Sequence, residues 1–184
     1  MCELTDIDGV RIYAAAMPPD IPRGERHRLE QEVVARLVEE AFGKGAVKVN
    51  DTHGRPSVLM PDGSRRPLTV SHCAACAVIA VPAHDTDTIG IDVETPRTPL
   101  PRVLPRILTE AELAAVTPGD MDAMLRAWTL KEALYKASAT PATDYRRDIS
   151  ILPPRPTVAA TPHLILHSAP FMTAYMSLVK AVLK

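Results

Sequence analysis

The stretch Thr88-Ile89-Gly90-Ile91-Asp92-Val93-Glu94 is a short apolar run that carries two carboxylates two residues apart. In a strand, residues i and i+2 point to the same face. Asp92 and Glu94 therefore project together, with Ile91 and Val93 on the other side. Two carboxylates on one face repel unless something positive lies between them. Mg²⁺, which takes one or two carboxylates together with phosphate oxygens and water, suits such a pair. An edge strand with a solvated acidic end is the plain structural alternative.

The second informative stretch is a helix, expected from about Met121 to Ser138 and stopped by Thr140-Pro141. Projected at about 100° per residue, Met121, Met124, Leu125 and Trp128 make one apolar stripe. Glu132 falls where the next apolar residue of that stripe belongs, with Lys131 and Lys136 on its flanks. Ala123, Ala127, Leu130, Leu134 and Ala137 make a second apolar face, so the helix is expected to be largely buried. A carboxylate on a buried face is costly unless paired or bound to a metal. A surface Glu132–Lys136 pair is the simple alternative. Taken with Asp92 and Glu94, the set reads as three acids for a cation and two lysines for phosphate oxygens.

The chain as a whole agrees with one domain or two small lobes: 184 residues, 46% hydrophobic and 23% charged. A formal net charge of −1 argues against nucleic-acid binding by bulk positive charge. No apolar run is long enough to span a membrane. The start, Met1-Cys-Glu-Leu-Thr-Asp, lacks the basic-then-apolar pattern of a signal peptide. Three sparse cysteines, Cys2, Cys73 and Cys76, then read as reduced thiols of a cytoplasmic protein.

Outward from the acidic strand, Arg11 to Met17 reads as a strand and Gly24 to Phe42 as an amphipathic helix ended by Gly43 and Gly45. Ala46 to Asn50 alternates like a short strand, and Asp51 to Pro56 is turn-like. Leu68 to Val81 suggests one or two buried strands. The connection His84 to Asp87 divides the chain into halves at 1–87 and 88–184. The proline-rich segment from Thr95 to Pro105 is expected to be a rigid loop. Thr109 with Glu112 forms a capping-box signature at the head of a helix. Arg147 to Leu152, His163 to His167 and Phe171 to Leu183 are read as β segments, the last with a helical alternative. Val103, Leu104, Ile107 and Leu108 are expected to help form an apolar partner surface, with burial in the core as the plain alternative.

Ile89-Gly90-Ile91-Asp92-Val93-Glu94 followed by Trp128-Thr129-Leu130-Lys131-Glu132-Ala133-Leu134-Tyr135-Lys136 resembles the two signature motifs of the 4′-phosphopantetheinyl transferases. Ser71-His72-Cys73 and Gly54-Arg55-Pro56 resemble two upstream elements of that family. The resemblance spans roughly residues 54 to 137 and favours the long, two-lobed Sfp-type branch. It implies an α+β fold of two similar halves, a pseudo-dimer. Each half is a small antiparallel sheet packed with helices, and the active site lies between them. One chain then completes one site, so a monomer is expected.

The resemblance further implies transfer of phosphopantetheine from coenzyme A to a serine of an acyl or peptidyl carrier protein, releasing 3′,5′-ADP. The carrier would serve fatty-acid, polyketide or non-ribosomal-peptide synthesis. Asp92, Glu94 and Glu132 carry over as ligands of Mg²⁺ (or Mn²⁺), and Glu132 would also help deprotonate the carrier serine. Lys131 and Lys136 would contact phosphates or the leaving group, and Ser71 and His72 a coenzyme A phosphate. Gly54, Arg55 and Pro56 would lie along the adenine nucleotide. Arg28 loosely matches a basic residue that grips the 3′-phosphate. The basic segment before the first helix is reduced here to Arg23, Arg26 and Arg28.

Three other readings share these residues. Cys73-x-x-Cys76 with His163-x-x-x-His167 has the internal spacings of a zinc finger, though the stretch between them is far too long for one. The acids and lysines also permit a Mg²⁺-dependent nucleotide phosphohydrolase, although no glycine-rich phosphate loop is present. The third reading is a relative that binds carriers but has lost activity.

Overall fold

In β1 (Cys2–Ile7) and β2 (Val10–Ala16), a two-residue turn at Asp8-Gly9 closes a hairpin. Both turn residues have positive φ, 52° and 73°, the twist that suits a tight antiparallel hairpin. The computed structural model describes residues 2–22, 24–96, 99–138, 143–152, 156–158 and 164–181. Arg23, Thr140, Pro141 and His163 of the sequence reading lie outside these. β2 pairs with β7 (Cys76–Pro82), and β7 with β6 (Thr69–His72), giving one antiparallel sheet in the order β1-β2-β7-β6. The hairpin strand β1 was not anticipated from sequence.

The two faces of this sheet are apolar for different reasons. On one face, Tyr13, Ala77, Ile79 and Val81 pack against Val33, Val34, Leu37 and Val38 of α1 (Arg26–Phe42). On the other, Val10, Ile12, Ala14, Val78 and Ala80 pack against Ile89, Ile91, Val93, Met176 and Leu178. Those last five belong to a second sheet. It is built from β8 (Thr88–Glu94), β11 (Leu164–Phe171) and β12 (Ala174–Ala181) in the antiparallel order β11-β12-β8. α4 (Met121–Lys136) covers its outer face, with Leu130, Ala133, Leu134 and Ala137 against Val179. The layers run helix, sheet, sheet, helix. A small third sheet, β3 (Val47–Asn50), β4 (Pro56–Leu59) and β5 (Arg65–Pro67), stands beside them. The fold is α+β with several small antiparallel sheets.

α4 rests directly on β8 at Gly90. A Cβ there would lie 2.0 Å from the carbonyl oxygen of Ala133 and 2.7 Å from the amide nitrogen of Ala137. Both neighbours are backbone and cannot turn aside.

The segment read as a rigid proline loop instead contains α2 (Leu100–Val103) and a 3₁₀ turn at Leu104–Arg106. Pro101 and Pro105 fall in the first turns of these elements, where the missing N–H would have no helical partner in any case. Leu100, Leu104, Ile107 and Leu108 are buried against Met124 and Leu125. The apolar partner surface expected there is therefore core. The strand expected over 147–152 is reduced to β9 (Ile149–Ser150), which pairs with β10 (Thr157–Val158).

The capping box of α3 (Glu110–Ala115) forms as its sequence indicates. Its glutamate also does something the signature does not reveal. Glu112 is fully buried and accepts Lys131 Nζ at 2.6 and 2.8 Å, the Thr109 N–H at 2.8 Å and the Ile151 N–H at 2.9 Å. Lys131, equally buried, donates in addition to the Ile149 carbonyl at 2.7 Å. Burial pulls the Lys131 ammonium below its ordinary range, against the opposing Glu112 charge. Burial alone would raise Glu112, but Lys131 and the two amides together hold it below the usual carboxylate range. One ion pair thus ties α3, α4 and β9 together. Among the described residues no helix is long and apolar enough to cross a membrane.

Two substitutions test this framework. Gly90→Ala forces α4 off β8 and should cost about 3 kcal/mol or more; a urea midpoint within error of the parent would show that the helix can shift freely. Lys131→Met leaves Glu112 buried without its partner and should destabilise by about 3–5 kcal/mol. Adding Glu112→Gln should then recover part of that loss.

Candidate active site

β8 alternates as its sequence requires. Ile89, Ile91 and Val93 enter the layer between the sheets, so Gly90, Asp92 and Glu94 face α4. Across the ladder Asp92 lies opposite Ser177, whose hydroxyl meets that of Thr129 on α4 at 2.8 Å. Asp92 is only 6% exposed. Its Oδ1 accepts Ser71 Oγ at 2.8 Å and Lys136 Nζ at 2.8 Å. Its Oδ2 is buried and has no hydrogen-bond partner among the described residues.

Ser71 and Lys136 reach Asp92 from opposite sides of a seam. β6 and β8 are edge strands of separate sheets. Side chains join them: the Val93 N–H donates to Ser71 Oγ at 3.2 Å, and the Ile91 N–H to Thr69 Oγ1 at 3.4 Å. Lys136 Nζ donates to the Ile91 carbonyl of β8 at 2.9 Å and to the Val70 carbonyl of β6 at 3.4 Å. Ser71 is therefore first of all the residue that orients Asp92. Lys136 bridges both sheets while part of its side chain remains accessible.

A cavity of about 670 Å³ opens at this seam. Gly54, Arg55, Pro56, Ser71, His72 and Lys136 all line it, so the two upstream elements and the end of the helix motif come together. The turn that carries Gly54 and Arg55 is fixed by Asp51, whose Oδ1 accepts the His53 and Arg55 N–H groups at 2.8 and 2.9 Å. Gly54 supplies the positive φ of 81° that this turn needs. Arg55 donates to the Ser138 carbonyl beyond the end of α4. His72 Nδ1 stands 3.4 Å from the carboxylate of the buried Glu30 on α1.

Two expected phosphate contacts are elsewhere. Lys131 is enclosed by Glu112 and Ile149 and does not line the seam cavity, because one step along α4 turns it about 100° away from Glu132. Arg28 lies on the solvent side of α1, 65% exposed, and is held by Glu32 at 2.6 Å and Glu25 at 3.6 Å. The buried stripe of α1 runs through Glu30, Val33, Val34, Leu37 and Val38, and Arg28 is not among the residues that line the cavity. A cation not foreseen does line it: Lys48 on β3, whose Nζ donates to Asn50 Oδ1 at 2.9 Å. The Lys48-x-Asn50 alternation was the available signal.

Glu132 occupies α4 one turn before Lys136, and its Oε2 accepts the hydroxyl of Tyr145 at 3.0 Å. The Tyr145 ring stacks on Tyr135, centroids 4.3 Å apart and planes 13° from parallel. Burial, then the Glu132 charge, push the Tyr145 phenol far above its ordinary range; the Asp92 charge adds to this. Tyr145 thus remains a protonated donor. Sequence reading missed it.

Among the described residues no three His, Cys, Asp or Glu side chains already converge as a ligand set. Cys73 and Cys76, the first half of the zinc reading, face each other at 3.8 Å between Sγ atoms, buried in the apolar core. A Mg²⁺ ion needs less from the protein, since phosphate oxygens and water complete its shell. The orphaned Oδ2 of Asp92, with Glu94 on the same face of β8, fits that partial demand.

Comparison with known proteins agrees with this geometry. A search of curated proteins finds no match. The family model for the 4′-phosphopantetheinyl transferase superfamily matches residues 88–181, from β8 through α4 to β12 and more than half of the chain. With the acidic strand, the helix crossing it and the lysine that closes the seam all inside that span, the chain belongs to the 4′-phosphopantetheinyl transferase superfamily.

Proposed function

We propose that this chain transfers the 4′-phosphopantetheine arm of coenzyme A to a serine hydroxyl of an acyl or peptidyl carrier protein, in a Mg²⁺-dependent reaction that releases 3′,5′-ADP. The observation that carries this reading is Asp92: a carboxylate 6% exposed, with one oxygen bound to Ser71 and Lys136 and the other without a partner among the described residues. An unpaired buried carboxylate oxygen is costly. It is explained if a cation joins it when substrate binds.

The reaction needs alignment and charge neutralisation more than covalent help. The carrier serine oxygen forms a bond to the phosphorus that bears the pantetheine arm. The anhydride bond to the adenosine side breaks, and its electrons leave with 3′,5′-ADP. Glu132, directly or through water, takes the serine proton. Asp92, Glu94 and Glu132 would hold Mg²⁺, which when bound supplies positive charge beside the pyrophosphate. Lys136 holds Asp92 in place and adds its own charge at the cavity wall. Arg55 and Lys48 put further cationic groups around the space for a nucleotide, and His72 lines the same wall.

The same reading takes residues 1–87 and 88–184 as two similar halves of an Sfp-type transferase. Each has a main antiparallel sheet with one long helix on its outer face, which supports it. A single chain then forms the whole site.

The test is intact-mass spectrometry of an apo carrier protein incubated with this chain, coenzyme A and Mg²⁺. The carrier should gain one phosphopantetheine arm, and chelation should abolish the gain. Asp92→Ala and Glu132→Gln should each lower turnover by on the order of 10²-fold or more. Release of nucleotide from coenzyme A with no change in carrier mass would mark a phosphohydrolase instead. Transfer that survives chelation would remove the metal from the reading.

A further inference from the structure

We propose that Tyr145 is a positioning residue for Glu132, its hydroxyl fixing the orientation of the carboxylate that receives the serine proton. This rests on the reading of Glu132 given above, but its evidence is independent of that reading.

Glu132 stands half-buried on α4, on a side chain with several rotatable bonds. Tyr145 donates to the Glu132 Oε2 at 3.0 Å, which fixes the direction of that oxygen. The ring that carries the hydroxyl is itself fixed, because it stacks on Tyr135. Tyr135 is three residues from Glu132 on the same helix and so is its neighbour on the helix surface. Donor and acceptor are thereby registered to one element.

The backbone around Tyr145 is locked as well. Asp144 Oδ1 accepts the Arg146 and Arg147 N–H groups at 2.9 and 2.8 Å. Asp148 Oδ2 accepts the Asp144 N–H at 2.8 Å, and the Asp148 N–H returns to the Asp144 carbonyl at 2.9 Å. The Arg147 guanidinium grips both oxygens of Asp148 at 2.7 Å. Asp144, Arg146 and Arg147 are exposed, whereas Tyr145 turns inward against Tyr135 and Glu132. The closed turn therefore presents one side chain, and that side chain ends on Glu132.

Tyr145→Phe keeps the ring and removes the hydroxyl. Two readouts are compared with the parent: carrier modification kinetics, and Mn²⁺ binding in the presence of coenzyme A, followed by electron paramagnetic resonance. The expected result is a fall of about tenfold or more in kcat, a KM for coenzyme A within about twofold, and Mn²⁺ affinity about tenfold weaker. In a Glu132→Gln background the same substitution should change Mn²⁺ affinity by less than about twofold, since the group being oriented is gone. A merely structural tyrosine would lower the melting temperature and weaken Mn²⁺ binding equally in both backgrounds, which overturns the proposal. Unchanged kcat and Mn²⁺ affinity in Tyr145→Phe also overturn it. If the parent modifies no carrier, the proposed function fails while the Mn²⁺ comparison still decides the role of Tyr145. A parent that binds no Mn²⁺ overturns the positioning role as well.

Discussion

One ammonium group spans the seam between the two sheets, and the rest of the site depends on it. Backbone N–H and C=O groups at a strand edge must find partners when they are buried. At β6 and β8 those partners are side chains: Thr69 and Ser71 for two amides, and Lys136 for a carbonyl on each strand. Ser71 and Lys136 are also the two groups that hold Asp92 Oδ1. The interactions that join the sheets are therefore the ones that aim the Asp92 carboxylate. Loss of either residue loosens the seam and that carboxylate together.

The adjacent pair Lys131-Glu132 shows how finely a helix can divide labour. About 100° of rotation separates consecutive residues. It sends the lysine into a closed pair with Glu112 and the glutamate toward Tyr145. Glu112, for its part, begins as a helix cap and ends as the counter-ion of a lysine 19 residues away. A buried pair of this kind is not strong evidence of added stability, because both ions were taken from water. It does fix how α3, α4 and β9 sit against one another, and hence how Glu132 is presented.

Much of this was legible in sequence where the signal was local. The alternation of β8, the amphipathic faces of α4 and the Thr109 capping box all depend on residues within a turn or two of each other. The resemblance then brought Ser71-His72 and Gly54-Arg55-Pro56 into one site with Lys136, and the cavity contains all of them. What failed was what depends on distant partners. Lys131 looked like a phosphate ligand because it flanks Glu132 within the helix motif, and Glu112 looked satisfied by its cap. Arg28 had the right charge, but the stripe that decides its direction is set by packing on the sheet. Proline count suggested a loop where Pro101 and Pro105 occupy helix starts. Tyr145 precedes a two-residue strand and shows its role only through a stack and a hydrogen bond formed across the fold.

The close approach at Gly90 has a meaning beyond sterics. Slide β8 by one residue and either Ile89 or Ile91 comes beneath the Ala133 carbonyl, where not even a methyl group fits. The same slip would turn Asp92 and Glu94 into the apolar layer between the sheets, because side chains alternate with period two. The missing side chain at Gly90 thus acts as an alignment key for the strand. A residue with no functional group chooses which way the acidic ones face.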